Sequence, residues 1–139
     1  MEIVVGLDNL IKKLDKMASN ETIAQGLKKS CLRIERDAKI NCPVDKGLLR
    51  ESITNKVDVD ELRGEVGTPV EYAPYVEYGT GIYAEGGVGR QDRWSYQTPD
   101  GKWHSTVGQR PQPFLYPALL QNESNVAKDI LDAIRKAGE

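Results

Sequence analysis

The chain has 139 residues, enough for one domain with a real core and too few for two comfortable ones. A formal net charge of -2 at pH 7 argues against a protein whose main task is to neutralise phosphate backbones, because such domains carry a clear basic excess. No window approaches the roughly 18 consecutive apolar residues that span a bilayer, and the opening Met-Glu-Ile-Val-Val-Gly-Leu-Asp lacks the basic start of a signal peptide, so no membrane association is expected and the expected compartment is a cytoplasm.

Residues 7 to 18 place Leu7, Leu10, Ile11, Leu14, Met17 and Ala18 at the i, i+3, i+4, i+7 spacing of an amphipathic helix. Ser19 or Asn20 can cap a second helix, whose stripe Ile23, Leu27, Cys31, Ile34 and Ala38 runs to the break at Pro43. Its outer face carries Lys28, Lys29, Arg33, Arg36 and Lys39. Arg33 with Asp37 and Glu35 with Lys39 fit i,i+4 pairing, which favours a solvated helix face over a nucleic-acid stripe. Cys42-Pro43-Val44-Asp45-Lys46-Gly47 is turn chemistry. The alternation Leu49, Ile53, Val57, Val59 then predicts a strand, and Leu62, Gly64, Val66 its antiparallel partner across the acidic turn Asp58 to Glu61.

All of the aromatic side chains, one Phe, two Trp and six Tyr, lie from Tyr72 onward, together with five of the seven prolines. Pro74 can open a helix and Gly79 can close one, so the stretch between them reads as a short bounded helical turn bearing Tyr72, Tyr75 and Tyr78 near one side. The glycine-rich run Gly79 to Arg90 lacks the Gly-Lys-Ser/Thr ending of a phosphate cradle and predicts a mobile loop. Trp94-Ser95-Tyr96 and Trp103-His104-Ser105-Thr106-Val107 flank Pro99-Asp100-Gly101, a hairpin signal. Gln109 to Pro113 must be extended, because proline disfavours the helical region for its predecessor. Pro117 suits the first turn of a last helix with the apolar face Leu119, Leu120, Val126, Ala127, Ile130, Leu131 and Ile134, whose start Phe114 should pin onto the core.

Catalytic machinery is not evident. His104 is the only histidine, flanked by Trp103 and Ser105 in the hairpin with no motif-placed nucleophile, and a hydrolase would have to use it. Cys31 and Cys42 have no metal-ligand spacing and read as buried thiols; neither a cofactor nor a metal site is expected. Asp58, Asp60 and Glu61 lack the glycine turn and the terminal glutamate of a calcium loop.

Three stretches in order, Cys42-Pro43-Val44-Asp45-Lys46-Gly47-Leu48-Leu49-Arg50-Glu51-Ser52-Ile53, Tyr75-Val76-Glu77-Tyr78-Gly79-Thr80-Gly81 and Gly108-Gln109-Arg110-Pro111-Gln112-Pro113-Phe114-Leu115-Tyr116-Pro117-Ala118-Leu119, resemble the neck proteins of tailed bacteriophages and prophages. The type member is the tenth gene product of the Hong Kong coliphage. The resemblance runs from about the second helix to the last one, and the Trp94 to Trp103 hairpin is similar to an insertion in that family. Lys46 departs from it, where threonine is common. The resemblance implies a non-enzymatic virion protein of the head-tail junction, also called a head-tail joining, tail-completion or minor tail protein. It would form a homo-oligomeric ring that joins the head connector to the tail-tube or tail-terminator proteins, with DNA only as passing cargo, and would reside in the host cytoplasm before assembly.

The expected architecture is α+β: two N-terminal helices and a long C-terminal helix packed on a small antiparallel sheet, with a projecting aromatic β-hairpin arm. Residues 1–139 are expected to form a single domain with 82–110 as the loop and arm insertion. Tyr72, Tyr75, Glu77, Tyr78, Trp94, Tyr96, Trp103 and Phe114 are the candidate subunit or partner interface, with Tyr75 and Tyr78 anchoring the base of the arm to the core. The alternative is a small stand-alone nucleic-acid-binding protein using Lys28, Lys29, Arg33, Arg36 and Lys39 with Trp94 and Trp103 as stacking surfaces.

Overall fold

The computed structural model describes residues 1–6 and 18–138. The helix expected over 7 to 18 falls, apart from Ala18, outside the described residues. Two compact units are formed, one from Met1–Val70 with Phe114–Glu139 and the other from Glu71–Pro113.

The first unit is α+β. Strand β1 (Glu2–Val5) is followed by helix α1 (Asn20–Asn41), helix α2 (Gly47–Ser52), strand β2 (Thr54–Asp58), strand β3 (Arg63–Gly67) and, after the second unit, helix α4 (Leu115–Ala137). The sheet is antiparallel in the order β1-β3-β2, with Val5 opposite Gly64 and Thr54 opposite Gly67. Leu62, Gly64, Val66 and Thr68 turn inward. Glu65 points the other way and holds Lys56 at 3.3 Å and Arg63 at 3.1 Å, so one face of the sheet is apolar and the other charged.

Helix α1 begins where the Thr22 amide donates to the Ser19 hydroxyl at 3.3 Å, as the capping chemistry predicts. Ile23, Leu27, Cys31, Ile34 and Ala38 are all buried, matching the stripe read from the sequence. Phe114 is fully buried at the start of α4, as expected, and removing a side chain of that size from water contributes about 2–3 kcal/mol. The two long helices meet closely because Gly26 has no side chain: a Cβ there would lie 2.5 Å from the Ile130 Cα.

Three expectations are corrected and one element is added. Residues 47–52 form α2 rather than the start of a strand. The Arg50 amide donates to the Lys46 carbonyl at 2.9 Å, and Leu49 and Ile53 are buried while Glu51 midway between them is exposed, a four- rather than a two-residue period. Strand β1 was not anticipated, since Glu-Ile-Val-Val is too short to show a pattern. Arg33 does not pair with Asp37; it reaches Asp129 on α4 at 3.2 Å. The buried face of α4 runs through Leu115, Ala118, Asn122, Val126, Asp129 and Ile130, whereas Leu120 and Leu131 are exposed. Two polar residues occupy seam positions, which hides the stripe from a reading of apolar spacing.

Those two residues make the seam polar and ordered. Ser30 donates to Asp129 at 2.9 Å in its buried centre, and Asn122 donates to Asp37 at 2.8 Å and to the Ala118 carbonyl at 2.8 Å. The Asn122 bond, followed by those from Arg36, holds the Asp37 carboxyl below the usual carboxylate range.

Candidate functional site: the aromatic surface of residues 71–113

The second unit begins with helix α3 (Ala73–Tyr78), bounded by Pro74 in its first turn and by Gly79 at φ +82, as predicted. Ala73 and Glu77 are buried, while Tyr75 and Tyr78, one helical turn apart, are 61% and 46% exposed. The anchoring expected of these two tyrosines is therefore corrected: they open to solvent. The base of the arm is tied by backbone instead. Thr80 donates to the Gln109 carbonyl at 2.9 Å, Ile82 to Val107 at 3.0 Å and Gln112 to Val76 at 2.8 Å, while the Gln109 amide donates to the Thr80 hydroxyl at 2.9 Å.

This tie explains the glycines. A Cβ on Gly81, at φ +61, would lie 1.9 Å from the Val107 carbonyl oxygen, and one on Gly108 would lie 2.1 Å from that of Thr80. The stretch 79–90, expected as a mobile loop, contains two short 3-10 turns, Gly81–Tyr83 and Glu85–Gly87, with Gly89 against the Gly81 carbonyl. The second and third family-like stretches, about thirty residues apart in sequence, are thus hydrogen-bonded to each other.

Strands β4 (Trp94–Gln97) and β5 (Trp103–Thr106) form the expected hairpin, with Trp94 opposite Thr106 and Gln97 opposite Trp103. Its turn is fixed by Asp100, which accepts from the Thr98 hydroxyl and, at 3.1 Å, from the Lys102 amide; these bonds, the Thr98 one first, lower its carboxyl. His104 is exposed, stacked on Tyr96 at 5.4 Å and 3.3 Å from the Thr98 hydroxyl, and so decorates a strand. Trp103 is 70% exposed beside the turn.

Between α3, the glycine turns and the foot of the hairpin lies a groove of about 500 Å³. Tyr75, Tyr78, Ala84, Val88 and Trp94 line it, with Glu85 and Arg90 also in its wall. Arg90 stacks over the Trp94 ring at 5.5 Å and makes a two-pronged bond to Asp92 at 2.8 and 3.0 Å. Outside the groove, Arg110 covers Tyr83 at 4.8 Å.

Of the candidate interface residues, Tyr75, Tyr78 and Trp94 converge on this groove, and Tyr96 and Trp103 lie exposed on the hairpin. Tyr72 is half-buried before α3; Glu77 and Phe114 are buried, one in each unit. Residues not singled out from sequence include Val88 and Arg90, for which a glycine-rich context gave no signal.

Both thiols are buried and free, and burial pushes Cys31 up to about 11 and Cys42 upward. Among the described residues no three His, Cys, Asp or Glu side chains gather as a metal site, and no helix is long and apolar enough to cross a membrane. The basic face of α1 is engaged within the chain: Lys28 donates to Asn55, Lys29 and Arg33 meet Asp129, Arg36 meets Asp37, and Lys39 meets Glu35.

Fold and surface together define a small α+β protein that presents aromatic side chains to solvent. The chain belongs to the HK97-gp10-like family, described as "Bacteriophage HK97-gp10, putative tail-component", whose model matches residues 8–79. It is thereby a bacteriophage structural protein of the tail-component class. No curated protein and no solved structure matches it.

Proposed function

We propose that this chain is a neck, or tail-completion, protein that acts at the head-tail junction of a phage or prophage virion. In this reading it assembles with itself as a ring beneath the head connector, receives the tail-tube or tail-terminator protein, and leaves an opening through which DNA passes. The whole chain then serves as one neck-type domain with the loop and hairpin of 82–110 as its inserted arm, made in the host cytoplasm and carried in the virion.

The observation that carries the reading is the aromatic groove of Tyr75, Tyr78 and Trp94 in the same compact unit as the exposed Trp103 and Tyr96 of the hairpin. Large rigid aromatic side chains are costly to leave in water and are the commonest anchors of protein interfaces. A ring needs two different patches on each subunit, and a groove and an arm are two such patches. The slight negative charge suits a channel, since strong attraction for phosphate would oppose DNA passage.

The direct test is removal of the gene. Lysates should then accumulate filled heads and free tails that fail to join, and the purified protein should restore joining when added back. Joined, infectious particles formed without it would refute the assignment.

A further inference from the structure

The first unit carries a pair of surfaces of its own. At the end of α1, Arg36, Lys39 and Ile40 meet Arg50 of α2 around a recess of about 600 Å³, with Glu35 the only acidic residue lining it. Ile40 is 70% exposed there. Arg50 donates one bond, from Nη2 to the Cys42 carbonyl at 2.9 Å, and its buried Nε has no hydrogen-bond partner among the described residues. Arg36 pairs with Asp37 and Lys39 with Glu35, the basic side chains 65% and 37% exposed and the carboxylates 20% and 19%.

The β2–β3 turn has the opposite character. Asp60 and Glu61 are exposed on either side of the chain's reversal with Val59 beside them, and Asp58 holds the turn in shape by accepting from the amides of Asp60 and Glu61 at 3.0 Å each. An apolar side chain among carboxylates thus faces outward at one place, and an apolar side chain among guanidinium and ammonium groups at another.

These two surfaces cannot meet within one chain. Arg50 lies just before β2 begins and the acidic turn just after it ends, so the five-residue strand holds them about 17 Å apart. Resting on the ring reading above, we infer that the acidic β2–β3 turn of one copy docks into the Arg36–Lys39–Ile40–Arg50 recess of the next, as a second head-to-tail contact between subunits beside that of groove and arm. Val59 meets Ile40 at the centre of this contact, and Asp60 and Glu61 bring further carboxylates to Arg36 and Lys39. Because the two patches differ and sit at opposite ends of one strand, the contact is heterologous and repeats from copy to copy.

The experiment places single cysteines at both patches, Lys39→Cys with Glu61→Cys, in particles whose only source of this protein is the variant. The native thiols are buried and do not compete. Mild oxidation should give a ladder of disulfide-linked species beyond the dimer on a non-reducing gel, absent from either single variant. A product that stops at the dimer, or no product above the single variants in particles that have joined heads and tails, overturns the contact while leaving the junction role standing. Joined particles that contain none of this protein overturn both. Independently, Lys39→Glu and Glu61→Lys should each lower the yield of joined particles by about tenfold or more, and the double variant should restore it; a double variant no better than the singles overturns the pairing.

Discussion

Thr80 and Gln109 are bound to each other twice: the Thr80 amide donates to the Gln109 carbonyl, and the Gln109 amide donates to the Thr80 hydroxyl, both at 2.9 Å. This pair closes the foot of the aromatic unit, and the flanking glycines exist to let the two backbones touch. Gly81→Ala would add a methyl group where only 1.9 Å separates it from a carbonyl oxygen, at a φ that L-residues avoid. We expect a loss of at least about 2 kcal/mol in urea unfolding. Gly86→Ala, at φ +77 with its nearest neighbour at 3.9 Å, isolates the backbone cost alone and should lose about 1 kcal/mol.

Tyr75→Ala combined with Tyr78→Ala removes two exposed rings. The double variant should unfold within about 1 kcal/mol of the parent, because neither ring is in the core, while head-tail joining falls sharply. Complementation of the deleted gene, read beside a denaturation curve, separates the two effects; loss of cooperative unfolding would mean that the rings are structural.

Gly26→Ala tests the contact between the long helices. Alanine favours a helix over glycine by about 1 kcal/mol, yet here its methyl would sit 2.5 Å from the Ile130 Cα. Overpacking of this kind costs about 1–3 kcal/mol, so the net effect should be destabilising and visible as a lower Tm.

The seam also sets a pH response. The depressed pKa of Asp37, due first to the Asn122 bond, contributes stability that is fully present above the ordinary carboxylate value of about 4 and is lost as pH falls through the lower folded value. Asn122→Ala should cost about 1–2 kcal/mol at neutral pH, and its difference from the parent should shrink in acid below the carboxylate range. Parallel denaturation series at several pH values would reveal this convergence.

Cys31 and Cys42 should resist a thiol reagent at pH 8 in the folded chain. Both are buried, and burial holds their protons on well above the pH of the assay. Both should react at once in denaturant, so the rate of labelling reports opening of the first unit.

Much of this architecture was legible from residue spacing, and the exceptions have physical causes. The α1 stripe, its Ser19 cap, the bounded α3 helix and the Trp94–Trp103 hairpin all follow local rules that act within a few residues. Helix α2 was misread because Leu49, Ile53 and Val57 recur at intervals of four, which alternation and a helical turn share. The polar face of α4 was missed because Asn122 and Asp129 are satisfied by Asp37, Ser30 and Arg33, partners roughly a hundred residues away that no local pattern displays. At the candidate interface the sequence singles out the aromatic residues as a group. Only the tertiary arrangement separates the solvent-facing Tyr75 and Tyr78 from the buried Phe114.

The two hydrogen bonds between Thr80 and Gln109 also make the intervening chain replaceable. Its two ends are held at a fixed separation by backbone groups, so the segment from Tyr83 to Thr106 can change in length or sequence at little cost beyond loop closure. A phage lineage could therefore exchange this cassette while inheriting the helices and sheet of the first unit unaltered.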